Sequence, residues 1–206
     1  MKLLIAYDGS EHAQAVFDDL ARAGLPADAQ AVVISVAEVY PRLPASCYEQ
    51  LTPESMETVP PALGKAHALA SRAMAEARSL AHTAAEHARR TFPNWQVQEL
   101  ACADVPQDAI VKAAHDFNAD LVVVGSRGRS AVERLFLGTV AQKVVTHVPC
   151  SARIARPRAD GAIAPRIVIG VDLSDQAATA VSAVASRTWP PGTQARAVLA
   201  LDMRLA

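Results

Sequence analysis

Short apolar runs alternate with segments of helical periodicity along most of this chain, and no other feature of the sequence restricts the fold as strongly. These runs are predicted to be strands at residues 3–7, 31–36, 97–101, 121–124 and 151–155. They are nearly continuously apolar, which is typical of parallel strands whose sheet is covered on both faces. The alternation of such strands with helices therefore predicts a doubly wound α/β domain.

The segments between the strands are predicted to be helices at residues 11–23, 65–90, 105–117 and about 139–147. Ser10 is the expected N-cap of the first helix and Asp104 that of the third, because both side chains can accept a hydrogen bond from a free backbone N–H group. The second helix repeats apolar residues at steps of three or four, so this face is expected to pack on a flat surface. The residues of this face are Leu69, Ala73, Ala77, Leu80, Ala84 and Ala88.

The sequence also predicts the division of the chain. Residues 1–155 are expected to form one domain, and residues 156–165, rich in Ala, Arg and Pro, a linker. Inside the first domain, residues 38–63 show no clear period and contain five prolines, at positions 41, 44, 53, 60 and 61. A segment of this length without secondary structure is unusual in a compact domain and is often a lid, so we expect it to order on ligand binding.

An internal repeat follows the predicted linker. Asp172-x-Ser174 repeats Asp8-x-Ser10 at an offset of 164 residues, and each pair follows an apolar run. Internal repeats indicate duplication of a structural unit. Residues 166–206 are therefore expected to form a partial, truncated second repeat, strand–helix–strand, which would pack against the first domain or a second chain.

Composition argues against several functional classes. The 206 residues carry a formal net charge of −1, so no general attraction to nucleic acid or to an anionic membrane is expected. The apolar N-terminal run is too short for a signal peptide. Three scattered cysteines, Cys47, Cys102 and Cys150, fit a reducing compartment, and a cytoplasmic protein is expected. His82 and His87 are five residues apart and do not share a helix face, so no metal site is expected.

The main candidate for a binding site is the glycine-containing segment at residues 125–139. Gly125 and Gly128 follow a predicted buried strand, where glycines let backbone amides approach an anion closely. Gly138 and Thr139 open the next helix and offer N–H groups, a hydroxyl and the positive end of the helix dipole. The segment therefore predicts a cradle for a phosphorylated ligand, at the carboxyl ends of the strands where open α/β sheets bind ligands.

These motifs resemble the ATP-binding subgroup of the universal stress protein family. The glycine spacing matches that subgroup's G-x2-G-x9-G-[ST] pattern, and Asp8-Gly9-Ser10 and Val-Pro-Cys150 match two further turns of the family. The resemblance covers the first 155 residues. It implies an adenine-nucleotide alpha-hydrolase-like fold with a five-stranded parallel sheet in the order 3-2-1-4-5, and a homodimer formed through the last strand or a tandem pseudo-dimer. A partial second repeat departs from both arrangements.

The resemblance further implies which residues bind the nucleotide. Asp8 would lie near the ribose or adenine, and Ala6 and Val36 would line the adenine pocket. The implied nucleotide-binding residues are Ala6, Asp8, Val36, Val124, Gly125, Ser126, Arg127, Gly128, Arg129, Ser130, Gly138, Thr139 and Val140. The implied ligand is ATP, with Mg²⁺ expected to bridge its phosphates.

The sequence is compatible with three functions. The first is a regulatory ATP-binding protein that acts through an unknown protein partner. The second is a slow ATP hydrolase or nucleotidyl-transferase-like enzyme, although neither a G-x4-G-K-[ST] nor a G-x-G-x-x-G motif is present. The third is a dimerising interaction module with a vestigial pocket. Purely structural explanations also exist, because the glycines suit turns, Asp8, Ser130 and Thr139 suit turns or helix caps, and Arg127, Arg129 and Arg134 suit a solvated surface.

Overall fold

The structure is a computed structural model, and it describes residues 1–38, 61–128, 137–157, 164–172 and 174–199. Its helices and strands, in chain order, are β1 (Lys2–Ala6), α1 (Glu11–Leu20), β2 (Gln30–Ala37), α2 (Pro61–Thr91), β3 (Gln96–Ala103), α3 (Pro106–Phe117), β4 (Leu121–Gly125), α4 (Thr139–His147), β5 (Ser151–Ala155), β6 (Arg166–Val171), α5 (Asp175–Ala185) and β7 (Gln194–Leu199). They fall into two compact units, residues 1–17 with 27–157, and residues 18–26 with the described part of 158–206.

The first unit contains a five-stranded sheet in the order β3-β2-β1-β4-β5, in which every neighbouring pair is parallel. This confirms the predicted fold class and strand order. The central strand β1 is paired on both edges, with Leu3 opposite Ala31 of β2 and Leu121 of β4. Because helices cover both faces, consecutive side chains of β1 are all buried, and Leu3, Leu4 and Ile5 are each 0% exposed.

Three details of the helices differ from the predictions. Helix α2 begins at Pro61, earlier than the predicted residue 65, since proline fits the first position of a helix. Leu69 was predicted on the packed face and is 69% exposed, while the neighbouring Ala70 is 2% exposed. Asp104 does not cap α3, because its carboxylate accepts from the N–H of Val105, which is itself the N-cap residue.

The predicted lid falls largely on residues 39–60, outside the described residues.

The second unit contains the two-stranded parallel sheet β6-β7 and helix α5. Its register repeats that of the first unit at the offset seen in the sequence, with Arg166 opposite Gln194 where Lys2 lies opposite Gln30. Its β-strands are much more exposed, and Val168 is 70% exposed. The division into a domain at 1–155, a linker at 156–165 and a partial repeat stays a prediction.

The turn before the first helix has the same hydrogen bonds in both units. The N–H and Oγ of Ser10 donate to Asp8 Oδ1 at 3.0 and 2.6 Å, and those of Ser174 donate to Asp172 Oδ1 at 3.0 and 2.5 Å. In both helices the serine Oγ then accepts from the N–H three residues later. The Asp-x-Ser motif is therefore first of all a helix N-cap, which confirms Ser10 in that role.

Candidate functional site

A cavity of about 570 Å³ lies in the first unit, at the carboxyl ends of β1, β2 and β4. Its volume falls within the range of about 300–1,000 Å³ that is usual for small-molecule sites. Residues of α1, α2 and α3 and the first turn of α4 also contribute to the wall. The position agrees with the general rule that open parallel sheets bind ligands where adjacent strands connect in opposite directions.

Most of the residues that the family resemblance implies lie around this cavity. Those in its wall are Ala6, Asp8, Val36, Val124, Gly125, Arg127, Gly128, Gly138, Thr139 and Val140. Ser126 is not in the wall, and only 1% of it is exposed. Arg129, Ser130 and Arg134 lie outside the described residues. The fold therefore brings the two ends of the glycine-containing segment together with the end of β1.

Two backbone amides of the expected phosphate cradle are already used within the protein. The N–H of Ser126 donates to the carbonyl of Ala155 at 2.8 Å, and the N–H of Gly138 donates to the carbonyl of Ser126 at 2.8 Å. The first turn of α4 is another source of backbone donors. Gly138 is its N-cap in extended conformation, and no side chain of the described residues caps it. The N–H groups of Thr139 and Val140 have no partner within the helix at this end.

The glycines of the segment also make close contacts inside the protein. A Cβ atom at Gly125 would lie 2.9 Å from the carbonyl carbon of His12, in the backbone of α1, which leaves no room for a side chain. At Gly138 it would lie 3.3 Å from Arg127 Cα, a tight contact. Their absence of a side chain therefore lets backbone segments of the protein pack against one another, and the approach of a phosphate stays a prediction.

Asp8 lies between the helix cap and the glycine-containing segment. Its Oδ1 accepts both hydrogen bonds from Ser10, whereas its Oδ2 faces Gly128, where an added Cβ would lie 2.9 Å from it. The repeat shows that Oδ1 is occupied in the same way at Asp172. Asp8 Oδ2 lies on the side of the cavity that Gly128 lines.

Part of the cavity wall was not predicted from the sequence. Helix α2 packs on β2 and β3 and contributes Ala73, Glu76, Ala77 and Leu80 to the wall, and Glu38 follows β2. The repetition of small residues in α2 predicts packing, but which part of that face borders a cavity depends on where the strands end.

Burial, followed by the charge of Asp8, raises the pKa of Tyr7, so the phenol in the wall stays protonated at neutral pH.

A sequence model described as "Universal stress protein family" matches residues 1–156. The chain belongs to the universal stress protein family. A relative from Thermus aquaticus, "Universal stress protein in QAH/OAS sulfhydrylase 3'region", is 34% identical over 154 residues, which cover 75% of this chain and 97% of the relative. Membership thus rests on nearly the full length of that relative and on the first unit of this chain.

Solved structures of the family share the fold. The universal stress protein UspA from Lactobacillus plantarum is 21% identical, with a TM-score of 0.55 over 76% of this chain and 97% of its own. A universal stress protein from Archaeoglobus fulgidus DSM 4304 is 15% identical, with a TM-score of 0.58 over 96% of this chain and 77% of its own. At these identities the likeness establishes the architecture.

Other chemistry is sparse in the part of the chain that the structure describes. Cys102 and Cys150 are free thiols, and burial raises the pKa of each, which disfavours the reactive thiolate. Among these residues no group of three or more His, Cys, Asp or Glu side chains could hold a metal ion. No helix in the same ranges has both the length and the apolar character needed to cross a membrane.

Proposed function

We propose that this protein binds ATP in the 570 Å³ cavity and acts as a nucleotide-dependent regulatory protein. The observation that carries the proposal is the first turn of α4, which enters the cavity wall at Gly138, Thr139 and Val140 without a side-chain cap among the described residues. Helix N-termini favour anions because their N–H groups and the helix dipole both point toward the ligand. The Thr139 hydroxyl adds a further donor at this place.

The charges of the wall support one orientation of the nucleotide. Arg127 lies on the side of α4, and the carboxylates in the wall are Asp8, Glu38 and Glu76. Phosphates are favoured near Arg127 and the start of α4, whereas ribose hydroxyls and the adenine amino group can donate to carboxylates. The triphosphate is therefore proposed to lie on Thr139, and the nucleoside toward the ends of β1 and β2.

Mg²⁺ fits this arrangement as a partner of the nucleotide. Mg²⁺ is commonly held by one or two carboxylates together with phosphate oxygens. In the proposed orientation Asp8 lies beside the nucleoside, so the ion would be held mainly by phosphate oxygens and water. When bound, the ion offsets the negative charge of the triphosphate.

Titration calorimetry with ATP, GTP and AMP, each with and without Mg²⁺, tests the proposal. Gly128→Ala is the matched perturbation, because its Cβ would meet Asp8 Oδ2 at 2.9 Å and would displace the carboxylate. We expect ATP binding to weaken about tenfold, which corresponds to loss of roughly one hydrogen bond to the carboxylate. Gly170→Ala is the control, since a Cβ there meets nothing within 4 Å.

The outcomes separate the three functions left open by the sequence. No binding at millimolar ATP, or equal affinity in wild type and Gly128→Ala, would refute the proposed site. Hydrolysis is followed in the same samples, and turnover well above the uncatalysed rate would assign an enzyme. A pure interaction module would bind none of the nucleotides.

We also propose a homodimer through the outer edge of β5. Within the described residues β5 pairs with β4 alone, so it is an edge strand of the sheet. Such edges readily pair with a second chain. The family resemblance implies the same surface. Light scattering coupled to gel filtration should give twice the mass of 21.7 kDa, with a monomer as the contradicting result.

A further inference from the structure

We propose that His12 is a positioning residue of the nucleotide site, which acts through Ser126 on the first turn of α4. The inference rests on the proposed function, because it assigns His12 an effect on ATP affinity without contact to ATP. His12 belongs to the first turn of α1, and its Nδ1 lies 3.0 Å from Ser126 Oγ, although the two residues are 114 positions apart.

Ser126 is a buried polar residue at the junction of three structural elements. Only 1% of Ser126 is exposed, so its hydroxyl needs a partner within the protein. His12 supplies that partner from α1. The backbone N–H of Ser126 donates to Ala155 at the end of β5, and its carbonyl accepts from Gly138 at the start of α4. A shift of Ser126 would therefore be passed directly to the residue that opens α4.

The contacts around this junction leave little freedom for compensation. A Cβ atom at Gly125 would lie 2.9 Å from the backbone of His12 in α1, which excludes a side chain. One at Gly138 would lie 3.3 Å from Arg127 Cα and 3.4 Å from the carbonyl oxygen of Ser126, which are tight contacts. Closely packed interiors transmit strain, so loss of this hydrogen bond would be felt by the neighbouring segments. The donors of Thr139 and Val140 follow directly after Gly138, so their alignment depends on this junction.

The internal repeat separates this role from helix capping. Position 12 of the first unit corresponds to Gln176 of the second at the offset of 164 residues. Helix α5 forms the same N-cap with Asp172 and Ser174 although no histidine is present. His12 is therefore not needed to begin α1. Its hydrogen bond to Ser126 is the interaction that distinguishes it from the equivalent residue of the repeat.

The test uses the full chain with four variants, His12→Ala, Ser126→Ala, the double variant and His12→Asn. Asparagine places a hydrogen-bonding atom at the same distance along the side chain as Nδ1 and should restore the contact. We expect His12→Ala to weaken ATP binding about tenfold, as for loss of a partner to a buried polar group. The ATP affinity of His12→Asn should lie within about twofold of that of wild type. Gln176→Ala is the matched control and should change nothing.

Two readouts distinguish positioning from general stability. Calorimetry below the unfolding transition gives the ATP affinity, and hydrogen exchange without nucleotide gives the protection of the Gly138 amide, whose acceptor is Ser126. His12→Ala should accelerate this exchange. The double variant should bind ATP no more weakly than Ser126→Ala, and its Gly138 amide should exchange no faster. Independent, additive effects of the two single variants would overturn the proposal.

The inference and the proposed function fail in different ways. If wild-type protein does not bind ATP, the proposed function fails, whereas faster exchange at Gly138 in His12→Ala would still support the structural link. If wild-type protein binds ATP and His12→Ala binds it equally well, the positioning role of His12 is wrong and the nucleotide site stands. Unchanged exchange at Gly138 in His12→Ala also overturns the positioning role.

Discussion

Gly125 offers the sharpest test of how the binding end of the sheet is assembled. It is the last residue of β4, and an alanine Cβ there would lie 2.9 Å from the carbonyl carbon of His12, 3.0 Å from its oxygen and 3.0 Å from the nitrogen of Ala13. Real Cβ atoms are almost never found this close to backbone. Gly125→Ala must therefore push the first turn of α1 away from the end of β4.

The cost can be estimated from the packing around this point. The neighbours are backbone atoms of a helix rather than the flexible end of a side chain, and Ala13 beside them is 2% exposed, so relief requires movement of the helix. Overpacking of this kind costs about 1–3 kcal/mol of the free energy of unfolding. For a chain of this size, each kcal/mol lowers the melting temperature by about 2–4 °C.

Urea denaturation followed by circular dichroism measures the free energy of unfolding of Gly125→Ala against wild type and the control Gly170→Ala. Gly170 is also a strand glycine, and a Cβ there meets nothing within 4 Å, so its substitution should be neutral or slightly stabilising. If Gly125→Ala is as stable as the Gly170→Ala control, the close contact between α1 and β4 is wrong. The account of the glycine spacing would fall with it.

The two helix caps give further predictions. Ser10→Ala and Ser174→Ala each remove a side-chain acceptor of a helix N–H group, and each should lower the free energy of unfolding of its unit by about 1 kcal/mol in urea denaturation. Hydrogen bonds from the Ser174 side chain and backbone lower the pKa of Asp172. This stabilisation is therefore complete above the unfolded pKa of about 3.9 and is lost as the pH falls through the lower folded pKa. Exchange of the Ala177 amide, corrected for intrinsic rates, should lose protection in that acidic range, and Ser174→Ala should abolish the effect.

Much of the fold was predictable because burial on both faces of a parallel sheet requires continuous apolar runs. The strand at residues 151–155 was placed at its observed bounds for this reason. The wrong predictions concern residues that could form a hydrogen bond or a packing contact with more than one neighbour. Asp104 can accept from more than one nearby N–H group, and a row of small residues in α2 does not say whether Leu69 or Ala70 faces the sheet.

By itself, the sequence predicted the strands from local pattern and their order from the family resemblance, and it identified the segment that lines the cavity. Only the tertiary structure decided which groups of that segment are available to a ligand. The amides of Ser126 and Gly138 are occupied by carbonyls of Ala155 and Ser126, and the Ser126 hydroxyl by His12. Local sequence sets which backbone conformations are possible, whereas hydrogen-bond partners depend on which distant elements meet in space.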